Sequence, residues 1–311
     1  MNGTRRDCLC SSTAVLAALL TTELKSAEPK SHDARKAQIL KSLNGEIGIT
    51  TSSVGAQTGG RGDRKFTLLE LPKIMREELN MKVIDLNTST LASEKPAYLD
   101  KVRAAAADAG CILTNLKLNQ RGLDMNSRDK DVRQKALTAY KRSIDAASRL
   151  GLLWARPLPL KETPDTKIHV DSYRELCDYG AERNVEMLVE NFGWMQGDPD
   201  SVVKLIKAIG RNVAACPDTG NWNSNELRYA GLKRTFPLAV TCDYKARDMG
   251  PAGEHKLYEL KRCFTIGWES GFRGPWCLEH AHADTKRLFK ELGMLRDMLR
   301  KWMAEAKQKK S

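Results

Sequence analysis

No apolar run in the chain approaches the ~20 residues a membrane-spanning helix needs. The nearest to one, Ser12 to Leu20, is far shorter. The glycine-rich loop from Gly55 to Gly62 lacks GxxxxGK[ST] spacing, so it is no phosphate cradle. No GxGxxG follows the first predicted strand, which argues against a doubly wound open sheet and leaves it the runner-up. Histidine is scarce, with five in 311 residues, too few for a metal cluster built on many imidazoles. Beyond Cys8 and Cys10, the remaining cysteines (Cys111, Cys177, Cys216, Cys242, Cys263, Cys277) are scattered without CxxC spacing. They read as buried free thiols rather than disulfides.

What is present is an ordinary globular balance, 41% apolar and 29% charged, with a formal net charge of +12. That charge favours anionic ligands, but it is diffuse, and its densest cluster, at 307–310, reads as a solvated tail. Residues 1–27 read as a leader: Arg5-Arg6 precede the short apolar run, and small residues follow at Ser26-Ala27. The paired arginines resemble a twin-arginine export signal, which implies an exported, periplasmic protein folded before export. If the leader does not function, the protein is cytoplasmic. Residues 28–311 are expected to form a single domain without a stable membrane anchor.

From residue 45 the chain alternates short apolar runs with longer amphipathic ones. Strands are predicted at 45–50, 81–86, 111–116, 152–157, 186–190, 212–218, 237–243 and 276–279. Helices are predicted at about 66–79, 95–109, 129–150, 170–183, 198–209, 223–234, 254–267 and 284–306. Asp198 and Pro199 are expected to cap and open the fifth of these helices after the first four. Eight strand–helix units argue for parallel strands closed into a (β/α)₈ TIM barrel, an α/β fold.

Four of these strands end in an acid: Glu190, Asp218, Asp243 and Glu279. In such a barrel every strand's carboxyl end opens on one face, so these residues are expected to converge there. Converging carboxylates either take up protons or bind a cation, and all-oxygen ligation suits Mn²⁺ or Mg²⁺ better than Zn²⁺. Taken one at a time, each acid has a bland alternative as a helix cap or ion-pair partner.

The segments Leu188-Val189-Glu190-Asn191, Pro217-Asp218-Thr219-Gly220-Asn221, Asp243-Tyr244-Lys245 and Gly271-Phe272-Arg273-Gly274 leading to Leu278-Glu279 resemble the xylose isomerase-like TIM barrels. That group comprises sugar phosphate isomerases and epimerases, including ketose 3-epimerases and inosose dehydratases. The resemblance implies metal ligation by Glu190, Asp218 and Glu279, with both glutamates also moving a proton on either face of the substrate carbon. Two positions depart from the pattern. Asp243-Tyr244-Lys245 stands where the family usually has His-x-Lys, and Asp218-Thr219-Gly220-Asn221 where many members have Asp-x-x-His. A fourth carboxylate would hold a metal more tightly and weaken it as a Lewis acid, so an inactive or repurposed barrel is an alternative.

The expectation is therefore metal-dependent proton transfer beside the carbonyl of a ketose or related sugar. Asn221, Lys245, Arg247, His255 and Arg156 are candidate substrate contacts, and Trp194 and Trp222 are candidate stacking surfaces for a sugar ring. Solvated loop charge, a buried ion pair or plain packing are their bland counterparts. Alternatives are a dehydratase on a keto-sugar or inosose at the same site, and a non-catalytic carbohydrate-binding barrel. A nucleic-acid enzyme of the endonuclease IV type is disfavoured, because it needs many histidines. A small-molecule sugar is the expected partner, with self-association left open.

Overall fold

In the computed structural model, residues 32–309 are described apart from 121, 159 and 161. The leader expected at 1–27 lies outside them. Residues from Leu40 onward form one compact unit, which holds the sheet.

Eight strands alternate with helices: β1 (Ile47–Thr50), β2 (Val83–Asn87), β3 (Ile112–Leu118), β4 (Trp154–Pro157), β5 (Glu186–Val189), β6 (Val213–Ala215), β7 (Cys242–Lys245) and β8 (Trp276–Glu279). The helices are α1 (His32–Ser42), α2 (Gly55–Thr58), α3 (Leu71–Glu77), α4 (Pro96–Asp108), α5 (Lys130–Leu150), α6 (Thr166–Ala181), α7 (Ser201–Ile209), α8 (Asn225–Thr235), α9 (Leu260–Glu269) and α10 (Thr285–Gln308). All sheet neighbours are parallel, in the order β6-β5-β4-β3-β2-β1-β8-β7. Between β6 and β7 the ring is closed by parallel bridges at Ala215–Ala239 and Asp218–Asp243. The second bridge is made by Asp243 N donating to Pro217 O and Thr219 N donating to Asp243 O. The TIM barrel expected from the alternation is thus the fold.

Four of the eight strands are buried along their whole length and the others at all but one or two terminal residues, as parallel strands covered on both faces must be. Helix starts follow their side chains. Asp129 accepts from Asp131 N and Val132 N ahead of α5, Asp165 from Lys167 N and Ile168 N ahead of α6, and Asp284 from Arg287 N ahead of α10. Apolar faces of the helices pack on the outside of the barrel. At α9, for example, Phe264 stacks at 5.2 Å on Trp276 of β8.

Several boundaries need correction: α3 begins at Leu71 rather than 66, α6 at Thr166 rather than 170, and β6 ends at Ala215 rather than 218, and three further shifts have a visible cause. α7 begins at Ser201 rather than at Pro199, because Asp198 Oδ1 instead accepts from Asp200 N and closes a turn before the helix. β7 starts at Cys242 rather than 237, because Phe236–Leu238 is a 3₁₀ turn with Pro237 in it, and proline offers no donor to a sheet. α9 starts at Leu260 rather than 254, and the preceding segment instead carries an antiparallel bridge between Met249 and His255. The six cysteines from Cys111 to Cys277 are free and buried, as expected. Among the described residues no helix is long and apolar enough to cross a membrane.

Candidate active site at the barrel mouth

The strand ends deliver their acids to one place. Carboxylate oxygens of Glu190, Asp218 and Asp243 all lie within 4.8 Å of one another, and all three side chains are buried. Glu279 is not part of that group, but lines a cavity of about 260 Å³ together with Glu190, Asn221, Arg156, Lys117 and Lys245. The two glutamates therefore face one space.

Local chemistry fixes the acids in place. The Asn191 amide clamps two loops, donating to Asp218 O and Asn221 O (both 2.9 Å) while accepting from Asp218 N at 2.8 Å. Asp218 Oδ1 accepts from Gly220 N and Asn221 N, and its Oδ2 accepts from Lys245 Nζ at 2.7 Å. Asn221 in turn donates to Glu190 Oε1 and accepts from Lys245. Gly220 is required beside this pair, since a Cβ there would stand 2.6 Å from Lys245 Cδ.

Cations thread the acids. Arg156 Nε lies 2.8 Å from Glu190 Oε2, and Lys245 Nζ lies 2.9 Å from Glu279 Oε1. Lys117 Nζ lies 2.5 Å from Asp243 Oδ1 and 3.7 Å from Glu279 Oε2. The extra carboxylate at position 243 thus does not bring a free charge. Burial works against the Lys117 ammonium, but Asp243, Glu279 and Asp85 outweigh it and hold the group protonated. Burial likewise opposes ionisation of Glu279, yet Lys245 and Lys117 pull its pKa down to about 2. Burial raises Asp218 to about 6 against the pull of Lys245, with Glu279 and Glu190 adding to the rise.

Lys117 and Asp85 belong to this site and were not singled out from sequence. Asp85, wholly buried on β2, has Asn115 Nδ2 at 3.4 Å, and burial lifts its pKa. Both are charged residues inside apolar strands, Ile84-Asp85-Leu86 and Leu116-Lys117-Leu118, which is the same signal that picked out Glu190.

Among the described residues, five acids (Asp85, Glu190, Asp218, Asp243, Glu279) thus meet three cations (Lys117, Arg156, Lys245), two of which are each shared between two acids, and Asp85 forms no ion pair. Asp243 Oδ2 is buried with no hydrogen-bond partner. An orphaned oxygen, an excess of acids over cations and an all-carboxylate donor set fit a hard divalent cation, so the acidic triad could bind a metal.

Other expected contacts fall differently. Arg247 lines an adjoining cavity of about 340 Å³ that shares Lys245 and Glu279 with the first. His255 is taken up by backbone, accepting from Arg247 N and meeting Tyr258 O at 2.9 Å. The Trp222 ring packs over Gly231 of α8 and its N–H donates to Asp218 O, so it backs the site instead of facing a ligand. Trp194 packs edge-on against His169 at 5.9 Å. Neither tryptophan lines these two cavities.

Comparison places this geometry among known folds. D-psicose 3-epimerase from Clostridium cellulolyticum H10, solved with D-tagatose, superposes with a TM-score of 0.67 at 14% identity, covering 82% of this chain and 98% of that one. A xylose isomerase domain protein from Planctomyces limnophilus gives 0.61 at 16%, covering 85% and 98%. A xylose isomerase-like TIM barrel protein from Mycobacterium smegmatis, solved in complex with magnesium, gives 0.59 at 18%, again covering 85% and 98%. No protein of curated function matches the sequence significantly. Residues 77–302 match the sequence profile of the xylose isomerase-like TIM barrels, and the chain belongs to that family.

Proposed function

We propose that this barrel is a sugar isomerase or epimerase that moves a proton on the carbon beside a carbonyl. The observation that carries the reading is that Glu190, just past β5, and Glu279, at the end of β8, line one small cavity with cations and amides around them. Its size and polar lining suit a polyhydroxylated substrate of a few carbons. One glutamate, as the carboxylate, takes the α-proton, and the C–H electrons pass into the carbonyl to give an enediolate. The other glutamate, entering as the neutral acid, gives its proton to the opposite face, and the pair ends with the proton on the first glutamate, giving epimerisation. Glu279 is held as a carboxylate by Lys245 and Lys117 and can accept a proton. Arg156 orients Glu190, and Asn221 and Lys245, now bonded to Glu190, Asp218 and Glu279, would exchange some of those bonds for substrate hydroxyls.

Glu190, Asp218 and Asp243 would hold a divalent cation, Mn²⁺ or Mg²⁺. When bound, such an ion polarises a carbonyl oxygen and acidifies the adjacent C–H. Arg247 in the adjoining cavity would meet the distal end of a longer or anionic substrate. The leader expected at 1–27 extends the proposal to a protein exported after folding, and six buried free thiols suit completion of the barrel in a reducing compartment.

The test is incubation with a panel of ketoses in D₂O followed by NMR. Deuterium at the α-carbon with an inverted product supports the reading. Loss of water instead identifies dehydration from the same first step. No exchange into any ketose, or full exchange in Glu190→Gln, removes the proton-transfer assignment.

A further inference from the structure

β3 and β7 stand on opposite sides of the eight-strand ring, with three strands between them either way round. Lys117 leaves β3, crosses the barrel interior, and sets its ammonium 2.5 Å from Asp243 Oδ1 of β7. Its side chain is 2% exposed, although it borders the cavity shared with Glu190 and Glu279. Asp243 is itself one of the three acids whose oxygens converge, and its second oxygen, Oδ2, is buried and unpartnered. The same carboxylate thus holds an ammonium on one oxygen and offers the other to whatever the triad binds. Two cations on one buried carboxylate repel each other strongly in a low-dielectric interior.

We propose that Lys117 is a built-in competitor for the cation site, so that a divalent ion loads on Glu190, Asp218 and Asp243 only as the ammonium gives up Asp243. The inference rests on the metal reading above and deepens it, making the site one of weak, exchangeable metal occupancy. Glu279, 3.7 Å from the ammonium, is the second carboxylate that the displaced lysine can pair with.

Mn²⁺ binding to the purified full chain, measured by isothermal titration calorimetry, tests this without a substrate. Lys117→Met keeps the length of the side chain and removes its charge. It is expected to bind Mn²⁺ about ten-fold or more tightly than the wild type. Lys117→Arg keeps the charge and is expected to bind as weakly as the wild type. Equal or weaker binding by Lys117→Met overturns the proposal, as does Lys117→Arg matching the tight variant. If neither variant folds, the wild type decides. Loss of Mn²⁺ on gel filtration supports the competitor, and retention of one ion per chain by the protein as purified overturns it. Absence of α-proton exchange in every metal state refutes the epimerase reading while leaving the difference in affinity intact, so the two failures are told apart.

Discussion

Arg156 and Glu190 face each other inside the barrel with 2.8 Å between Nε and Oε2, their side chains 3% and 4% exposed. A buried pair of this kind gives little net stability, but removing one partner strands the other's charge. Arg156→Met is expected to lower the unfolding free energy by about 3–5 kcal/mol, and Arg156→Met with Glu190→Leu by clearly less. A double-mutant cycle in urea measures the coupling. Additive losses would mean that the two charges do not depend on each other.

Asn191 spends all its amide atoms on the loop after β6. Asn191→Ala leaves Asp218 N, Asp218 O and Asn221 O without these partners in a buried setting. The expected destabilisation is about 2–4 kcal/mol, together with weaker Mn²⁺ binding as Asp218 loses its position. Wild-type stability and metal affinity in that variant would show that the clamp is dispensable.

Gly220 lies against the aliphatic stem of Lys245. A methyl group there meets Cδ at 2.6 Å and Cγ at 2.8 Å, so the flexible lysine must move. Gly220→Ala is expected to cost about 3 kcal/mol of stability and about 100-fold in α-proton exchange, because Lys245 is pulled off Asp218 and Glu279. Melting temperature and deuterium incorporation, read side by side, check both losses.

His169 is buried on α6 against Asn126 and Tyr173, and burial lowers its pKa to about 4. A histidine depressed in the folded state favours folding fully above its unfolded pKa near 6.5. That contribution is lost as pH falls toward 4, because the unfolded chain takes up the proton first. The loss should reach about 3 kcal/mol between those pH values. Urea unfolding at pH 7, 5.5 and 4.5 follows it, and a His169→Gln variant should show a shallower decline over that window. An equal decline in both would assign the acid sensitivity to other groups.

Much of this molecule is legible in its sequence. Short apolar runs alternating with amphipathic ones dictate eight parallel strands, because strands covered on both faces must be apolar throughout and their crossovers need helices. Glu190, Asp218, Asp243 and Glu279 stand out because a charge at the end of such a run needs a partner. The strand-seven boundary is not legible, because the apolar stretch Phe236–Val240 is mostly a turn and its exit, and hydrophobicity alone cannot separate turn from strand when a proline sits inside. What only the tertiary structure decided is which charges meet. Lys117 and Asp243 are 126 residues apart and join across the ring, and Asp85 enters the same cluster from β2. A strand's sequence reveals that a charged side chain points into the barrel. The partner it finds there is set by ring closure and strand stagger, which no local pattern encodes.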